Sequence, residues 1–408
     1  MTLPSGGRRP LPALAVVWLL GVTQIVGYGT QYYSFAILAH SAAPALGWPE
    51  PWLFGALSIG LLLGGLIAPE VGKRIDRHSA GAVMALGSFT AAAALLVAGT
   101  APNGMVFAAA VLVMQLAGTL SLYDAAFAAL VQATGPRGQT SITHLTLIAG
   151  FASSMFWPLT SWLDTTLGWR TVYIVFAIAC LIVCVPIHAV IGRQHRASVR
   201  AAPVAAAPHE AMGTPAPAST MWFATLGFAL SGFALSAILA QMVPLLTAVG
   251  LGASALLVST LFGPAQVLVR FVNLALGAAR HPIGAALLAL ALIPLSIAVL
   301  ALGAPALAAA IAFAVMFGFG SGLKSIVQGS LPLALFGAGG YGARLGVMAS
   351  VRQLLASVAP FSLAFLIEAL GVRPALWIVG GVGLIGLLCL VQVAHWVRTS
   401  RTPQVTQT

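Results

Sequence analysis

Gly72-Lys73-Arg74-Ile75-Asp76-Arg77 stands between two long apolar stretches, Trp52 to Pro69 before it and Ala80 to Gly99 after it. Four of its residues are charged, in a chain where charged residues make up only 6%. So dense a cluster between two runs close to the ~20 apolar residues that cross a bilayer reads as a short loop joining two spans.

The rest of the chain supplies the context. Its 408 residues are 60% hydrophobic, with a mean hydropathy of +1.02. A soluble domain cannot bury that much apolar surface, whereas a lipid bilayer can. Twelve segments are long and apolar enough to span: 12–39, 52–69, 79–100, 104–133, 139–163, 170–191, 220–248, 254–278, 282–301, 305–334, 342–368 and 373–397. The first is too long for a cleavable signal and carries no cleavage pattern. The three cysteines, Cys180, Cys184 and Cys389, all fall within spans, which predicts neither disulfides nor a metal cluster.

The net charge of +11 suggests nucleic acid only if its distribution is ignored. Thirteen of the 18 Lys and Arg residues fall in the termini and alternate loops. These are Arg8, Arg9, Lys73, Arg74, Arg77, Arg137, Arg193, Arg196, Arg200, Arg280, Arg344, Arg398 and Arg401. The opposite loops hold Arg170 and Arg373. This is the positive-inside bias, so both termini are expected in the cytoplasm, and no polyanionic partner is implied.

The halves resemble each other. Leu163-Asp164-Thr165-Thr166-Leu167-Gly168-Trp169-Arg170 matches Ile367-Glu368-Ala369-Leu370-Gly371-Val372-Arg373 with one gap. Pro158 and Pro360 precede these ends alike, and Arg137 and Arg344 open the preceding helices. The offset of about 203 residues is half the chain, the mark of a parallel two-half repeat with its substrate site between the halves. The expected domains are 1–192, a linker at 193–219 that is Ala/Pro-rich and without helical period, and 220–408. There is no Walker loop, His-Glu-x-x-His or Gly-x-Ser-x-Gly pattern, so neither nucleotide-driven transport nor intramembrane hydrolysis is indicated, and no cofactor is expected.

With its flanking spans, the Gly72–Arg77 pattern resembles the loop after the second helix of major facilitator superfamily transporters. The resemblance covers the whole chain. It implies an all-α membrane protein of twelve helices in two six-helix pseudo-repeats. Such a protein is a secondary transporter rather than an enzyme, sits in a bacterial-type inner membrane and acts as a monomer on a small solute, with coupling to protons one option. Tyr28, Gly47-Trp48 and a cation in the eighth helix loosely resemble the oxalate–formate and monocarboxylate branch, which implies a small organic anion. The alternative is drug or metalloid efflux, but the Gly-Pro pair of drug–proton antiporters is missing from the fifth helix, where Gly150 and Pro158 lie apart.

Polar residues at membrane depth are the candidate site, because burying them is costly unless they face a cavity or a partner. Arg270, with Gln266 and Asn273 on its helical face and Gly263-Pro264 before it, suits a carboxylate clamp. The alternative is a structural arginine tying two helices together. Gln24, Tyr28, Gln31 and Phe35 form one face of the first helix, with Tyr32 beside it, either lining a cavity or packing on a neighbour. His144, clustered with Thr140, Ser141 and Thr143, is placed to face Arg270 or to pack. Arg352 either binds substrate or snorkels, and Lys324, one turn before Gln328, is expected to snorkel. Gly72, Asp76 and Arg77 are the expected gate. Asp124 is read as lying near the cytoplasmic end, where it either pairs with Arg77 or Arg74 in that gate or carries a coupling proton. His78-Ser79-Ala80-Gly81 lacks the further basic residues of the family pattern.

The charge bias makes a direct prediction. Cysteines introduced at Ala206 and Thr406 should resist an impermeant thiol reagent in intact cells. Labelling of either from outside reverses the topology.

Overall fold

The computed structural model describes residues 11–135, 138–201, 217–276 and 281–399. Among these, twelve helices are long and apolar enough to cross a membrane. They are α1 (Ala13–Ala45), α2 (Glu50–Arg77), α3 (Ala80–Thr100), α4 (Gly104–Thr134), α5 (Gly138–Leu167) and α6 (Trp169–Ala197), then α7 (Ala218–Ala240), α8 (Ser254–Ala275), α9 (Ile283–Gly303), α10 (Leu307–Phe336), α11 (Tyr341–Leu370) and α12 (Val372–Thr399). A helix satisfies every backbone group internally, which is why an apolar chain can cross lipid in this form. With twelve such spans, the start of α1, the end of α6, the start of α7 and the end of α12 come to one face, here called the terminal side.

Two expectations change. The charged hexapeptide is not a loop: α2 runs through it to Arg77, and the turn is only His78-Ser79. The start of the expected linker is helical too, since helix continues from Val185 to Ala201. The stretch 202–216 lies outside the described residues, as do Arg8, Arg9, Arg137, Arg280 and Arg401.

Several helices are interrupted, which matters below. α1 widens to a π-helical turn at Gly29–Tyr33 and α6 at Cys180–Cys184. α4 breaks at Leu122, which is extended. α5 breaks at Gly150-Phe151. α8 breaks at Leu261, one residue before the turn that holds Gly263-Pro264. α7 gives way at Gln241 to a short helix and π turn, Met242–Leu251.

The repeat has an atomic counterpart. Arg170 at the start of α6 donates from Nη1 to the Ala101 carbonyl beyond α3 at 2.6 Å. Arg373 at the start of α12 donates from Nη2 to the Ala304 carbonyl beyond α9 at 3.1 Å. Both bonds span 69 residues. Gly168 and Gly371, just before these arginines, turn the chain with positive φ of 77° and 88°.

The cores show how the halves meet. Away from the terminal side each half has its own core, Phe35, Phe107 and Tyr173 belonging to one and Ile238, Phe313 and Leu376 to the other. On the terminal side, Val71, Ile75 and Phe127 of the first half share a cluster with Leu333, Tyr341 and Leu345 of the second. The halves are therefore joined at the terminal side and separate at the other end.

Replacing Arg170 or Arg373 by Met should lower the unfolding midpoint in detergent, each losing a charged hydrogen bond worth about 1.5–3 kcal/mol. Lying in different halves, the losses should add to within about 0.5 kcal/mol. Loss of stability from one substitution alone contradicts the equivalence.

Candidate transport site and the seam that closes it

Small residues bring α2 and α11 into backbone contact. A Cβ on Gly72 would overlap the Gly342 carbonyl, and one on Gly346 would overlap that of Ala68. Asp76 locks this seam. Its Oδ1 accepts the Gly342 N–H at 2.8 Å and its Oδ2 the Ala343 N–H at 2.7 Å. A carboxylate at a helix N-terminus satisfies free donors and meets the positive end of the helix dipole. Arg344, one residue on, donates back to the Phe336, Gly337 and Gly339 carbonyls and fixes the α10–α11 turn. The expected partners of Asp124 are elsewhere: Arg74 pairs with Glu70 on its own helix at 3.4 Å, and Arg77 is exposed.

Asp124 instead crosses the middle of the bundle. The break at Leu122 starts a second helix at Tyr123–Thr134 and puts Asp124 in its first turn. It stands about 15 Å from the Thr134 end at 1.5 Å per residue, about 7 Å on the terminal side of the midpoint of the 31-residue α4. Arg352 stands about 16 Å into α11 and donates from Nη2 to Asp124 Oδ2 at 2.8 Å. The pair joins the halves and is largely shielded, with side-chain exposures of 16% and 22%. Asp124 Oδ1 is buried without a partner. The expected pairing of Asp124 with Arg74 or Arg77 is thus replaced by one with Arg352 across the halves; the sequence shows the apolar run but not the break within it.

Lys324 corrects a second expectation. It does not snorkel. It is 5% exposed, about 18 Å from the Phe336 end of α10. It lies beside Gly232 of α7, where a Cβ would meet both Lys324 Nζ (3.3 Å) and the Arg352 stem (3.4 Å).

Aromatic rings surround this charge cluster on the first-half side. Tyr28 packs on Tyr123 with centroids 4.7 Å apart, and on Tyr33 and Tyr32 at 6.2 and 6.5 Å. Tyr33 meets Trp157 of α5 edge-on at 6.0 Å. Tyr33, Tyr123 and Trp157 were not among the expected site residues. The π turn at Gly29–Tyr33 rotates Tyr33 relative to a regular helix, which a fixed 3.6-residue period does not show.

The two glutamines of the α1 face pack against α4. Gln24 is fully buried and donates to the Ser121 carbonyl at the α4 break at 2.9 Å. The backbone carbonyl of Gln31 accepts from Gln115 at 3.3 Å. Phe35 is core. A histidine that sequence reading passed over, His188 of α6, is buried between Ser88 of α3 (2.8 Å) and Thr23 of α1 (2.9 Å) and ties the three helices together.

Arg270 reaches across the halves. Buried to 6% exposure, it donates from Nη1 to the Thr146 carbonyl of α5 at 3.2 Å, and its Nε is buried without a partner. Its guanidinium lies against Gly150, where any Cβ would collide with it. Its contacts on α5 are therefore Thr146 and Gly150 rather than His144. Gln266 turns to Ser321 of α10 at 2.6 Å, and Asn273 is half-buried.

The sequence over residues 17–360 matches the family model described as Major Facilitator Superfamily. The chain belongs to the Major Facilitator Superfamily. It is therefore a multi-pass membrane protein of a transporter family. Its fold is similar to that of the human organic anion transporter MFSD10 (TETRAN), with a TM-score of 0.72 at 16% identity over 93% of this chain and 100% of that one. It is also similar to the transporter FucP in the outward conformation (TM-score 0.68, 15% identity, 97% and 100% covered). A point variant of the E. coli fucose:proton symporter FucP aligns at 0.64, with 15% identity and the same coverage, 97% and 100%. At these identities the likeness concerns the fold. No curated protein sequence matches the chain significantly.

Asp76→Ala should loosen the seam. Losing two charge-assisted hydrogen bonds, at about 1.5 kcal/mol or more each, shifts a two-state equilibrium by at least about tenfold. A cysteine at Ala349, buried in the seam, should then react faster with a thiol reagent from the terminal side by about that factor. Unchanged reactivity removes Asp76 from the lock.

Proposed function

We propose that this protein is a secondary active transporter for a small organic anion, a carboxylate, moved as the two halves rock about the central site. The observation that carries the reading is the charge at membrane depth. Arg270, Lys324 and Arg352 are all buried or nearly so, and Asp124 is the one acid placed among them. Buried uncompensated cations are costly, and an anionic substrate offsets that cost. The MFSD10 fold likeness agrees with an organic anion but does not carry the argument.

Arg270 is the proposed clamp. Its Nη1 is spent on the Thr146 carbonyl, but its Nε has no partner, and a carboxylate takes adjacent guanidinium donors together. Tyr28, Tyr32 and the ring of Tyr33 offer the apolar wall, and Arg352 is a second cation within the same bundle centre. Gln24 and Gln31 hold α1 against α4 behind this wall, and Gln266 ties α8 to Ser321 of α10. The charge bias supports a cytoplasmic terminal side, in a bacterial-type inner membrane. The joined seam then describes an outward-facing state, the conformation in which FucP is similar.

Arg270→Gln should weaken binding of an anionic substrate to purified, folded protein by 2–5 kcal/mol, by analogy with buried charge pairs at interfaces. That is roughly 30-fold or more. Arg270→Lys should fail too, because an ammonium lacks the planar fork. The check is a panel of labelled monocarboxylates, dicarboxylates, arsenicals and cationic dyes, run for binding and for uptake. Near-normal affinity in Arg270→Gln eliminates the clamp. Transport of only cationic or neutral solutes by the parent eliminates the substrate class.

A further inference from the structure

We propose that a groove between α2 and α4 holds one acyl chain of a phospholipid with a primary ammonium head group, drawn from the leaflet away from the terminal side. The groove has a volume of about 430 Å³. Trp48 and Trp52 stand at its mouth, and Ile59 and Leu112 at its inner end. Gly55 and Ala108 between them leave the space open, and a Cβ on Gly55 would meet nothing within 4 Å. Apart from the two indole N–H groups, every lining side chain is apolar. On α2 the lining ends at Ile59, nine residues beyond the first residue of the helix, Glu50. At 1.5 Å per residue that is about 14 Å, half of a hydrocarbon layer about 30 Å thick. The groove therefore has the depth of one leaflet.

Helix geometry gives the direction in which it opens. Gly65, Ala68 and Gly72 are the α2 residues set against α11. Trp52, Gly55 and Ile59 each precede one of them by thirteen residues. At 3.6 residues per turn this places the groove about 140° around α2 from the seam. On α4, Gln115 is turned to the Gln31 carbonyl of α1. The lining residue Ala109 lies about 120° from it, and within about 40° of the exposed Met105 and Val113. The groove thus faces away from both the partner half and the central site, onto the surrounding lipid.

The lining and the mouth together select the occupant. Water has no polar partners inside the groove, and a void there forfeits the dispersion contacts of its walls. A hydrocarbon chain restores those contacts. At the mouth, Trp48 and Trp52 meet edge-on with centroids 6.2 Å apart, in the position of an interfacial aromatic belt. Their indole N–H groups find no protein acceptor among the described residues and can donate to a lipid phosphate. The charged group beside them is an acid: Glu50 is exposed, its Oε2 3.3 Å from His40 Nδ1. Arg170, the cation of the neighbouring α3–α4 corner, is spent on the Ala101 carbonyl. A carboxylate there favours a head group that carries an ammonium with N–H donors and disfavours a purely anionic one. The bound chain backs α2 on the side away from the seam, so it braces the helix that α11 presses from the other side. None of this uses the carboxylate reading of the central site.

The test places the full-length protein in nanodiscs of mixed phosphatidylethanolamine and phosphatidylglycerol, with a trace of either lipid carrying a photoactivatable diazirine on its acyl chain. On illumination, the phosphatidylethanolamine form should label segments 55–59 and 108–112 several-fold more heavily than segment 384–388 of α12, where Leu384, Ile385 and Leu388 are exposed. Gly55→Trp fills the groove and should bring this labelling down to the α12 level. Ala109→Leu should do so in part, which keeps the test standing if the tryptophan variant does not fold. The phosphatidylglycerol form should label the groove less than the phosphatidylethanolamine form, and Glu50→Gln should abolish that difference. Equal labelling of the groove and α12 in the parent overturns the proposal, because the contact is then ordinary boundary lipid. Equal labelling of the groove by the two lipids in the parent overturns it as well. So does cross-linking of the groove to a second copy of the chain in place of lipid.

Discussion

The Asp124–Arg352 pair is the interaction on which the central arrangement depends. Two opposite charges at membrane depth are tolerable only if protein excludes lipid from both and each supplies what the other lacks. That requirement places α4 against α11 and so fixes how the two halves approach. Three features then hold the closed seam. Apolar residues around Tyr341 and Leu345 pack across it. Asp76 secures the outermost turn of α11. The ion pair secures the centre. The first two lie on the terminal side, and the opposite ends of the halves keep separate cores.

The helix interruptions follow from the same demand. A straight α4 would carry Asp124 as one more side chain on a continuous apolar surface. The break at Leu122 instead makes it a first-turn residue, where free backbone N–H groups and the helix dipole favour its negative charge. Gln24 closes the break from α1 by donating to the Ser121 carbonyl that the interruption leaves without a helical partner. The π turn of α1 lies opposite, and Gly29 within it makes room for the Phe156 ring of α5. Irregular backbone here is confined to places surrounded by protein, as a membrane requires.

Much of the fold was legible in the sequence. Twelve apolar runs and alternating basic loops give the number of spans. The Gly168–Arg170 and Gly371–Arg373 corners gave the repeat, because a turn glycine and an arginine that caps the neighbouring corner are short-range features. What was not legible needed long-range contacts. Nothing local distinguishes Lys324 as buried rather than snorkelling, since that depends on Gly232 of α7 leaving space beside it. Nothing local pairs Asp124 with a residue far along the chain. The span itself was read to within a residue of its Thr134 end, but the break at Leu122, which makes Asp124 a first-turn residue, leaves no mark in an apolar run. Asp76 was recognised as part of a gate from its motif, but its partners are backbone N–H groups, which no sequence pattern displays.

The repeat also explains where chemistry can reside. The features that recur between the halves are structural: corners, caps and helix starts. The charges at membrane depth do not recur. About 203 residues from Asp124, Arg352, Arg270 and Lys324 stand Val327, Ala149, Ile67 and Ser121. Each half therefore has the same frame, but the acid is on the first half and all three cations are on the second. A symmetric pair of halves would separate with no electrostatic preference for either state. This division makes parting of the halves at the centre a parting of the Asp124–Arg352 charges, which favours the closed seam. A ligand can shift such an equilibrium only by its differential affinity for the two states. Under the proposed function, the one-sided placement of the cations is what would give an anionic substrate that differential.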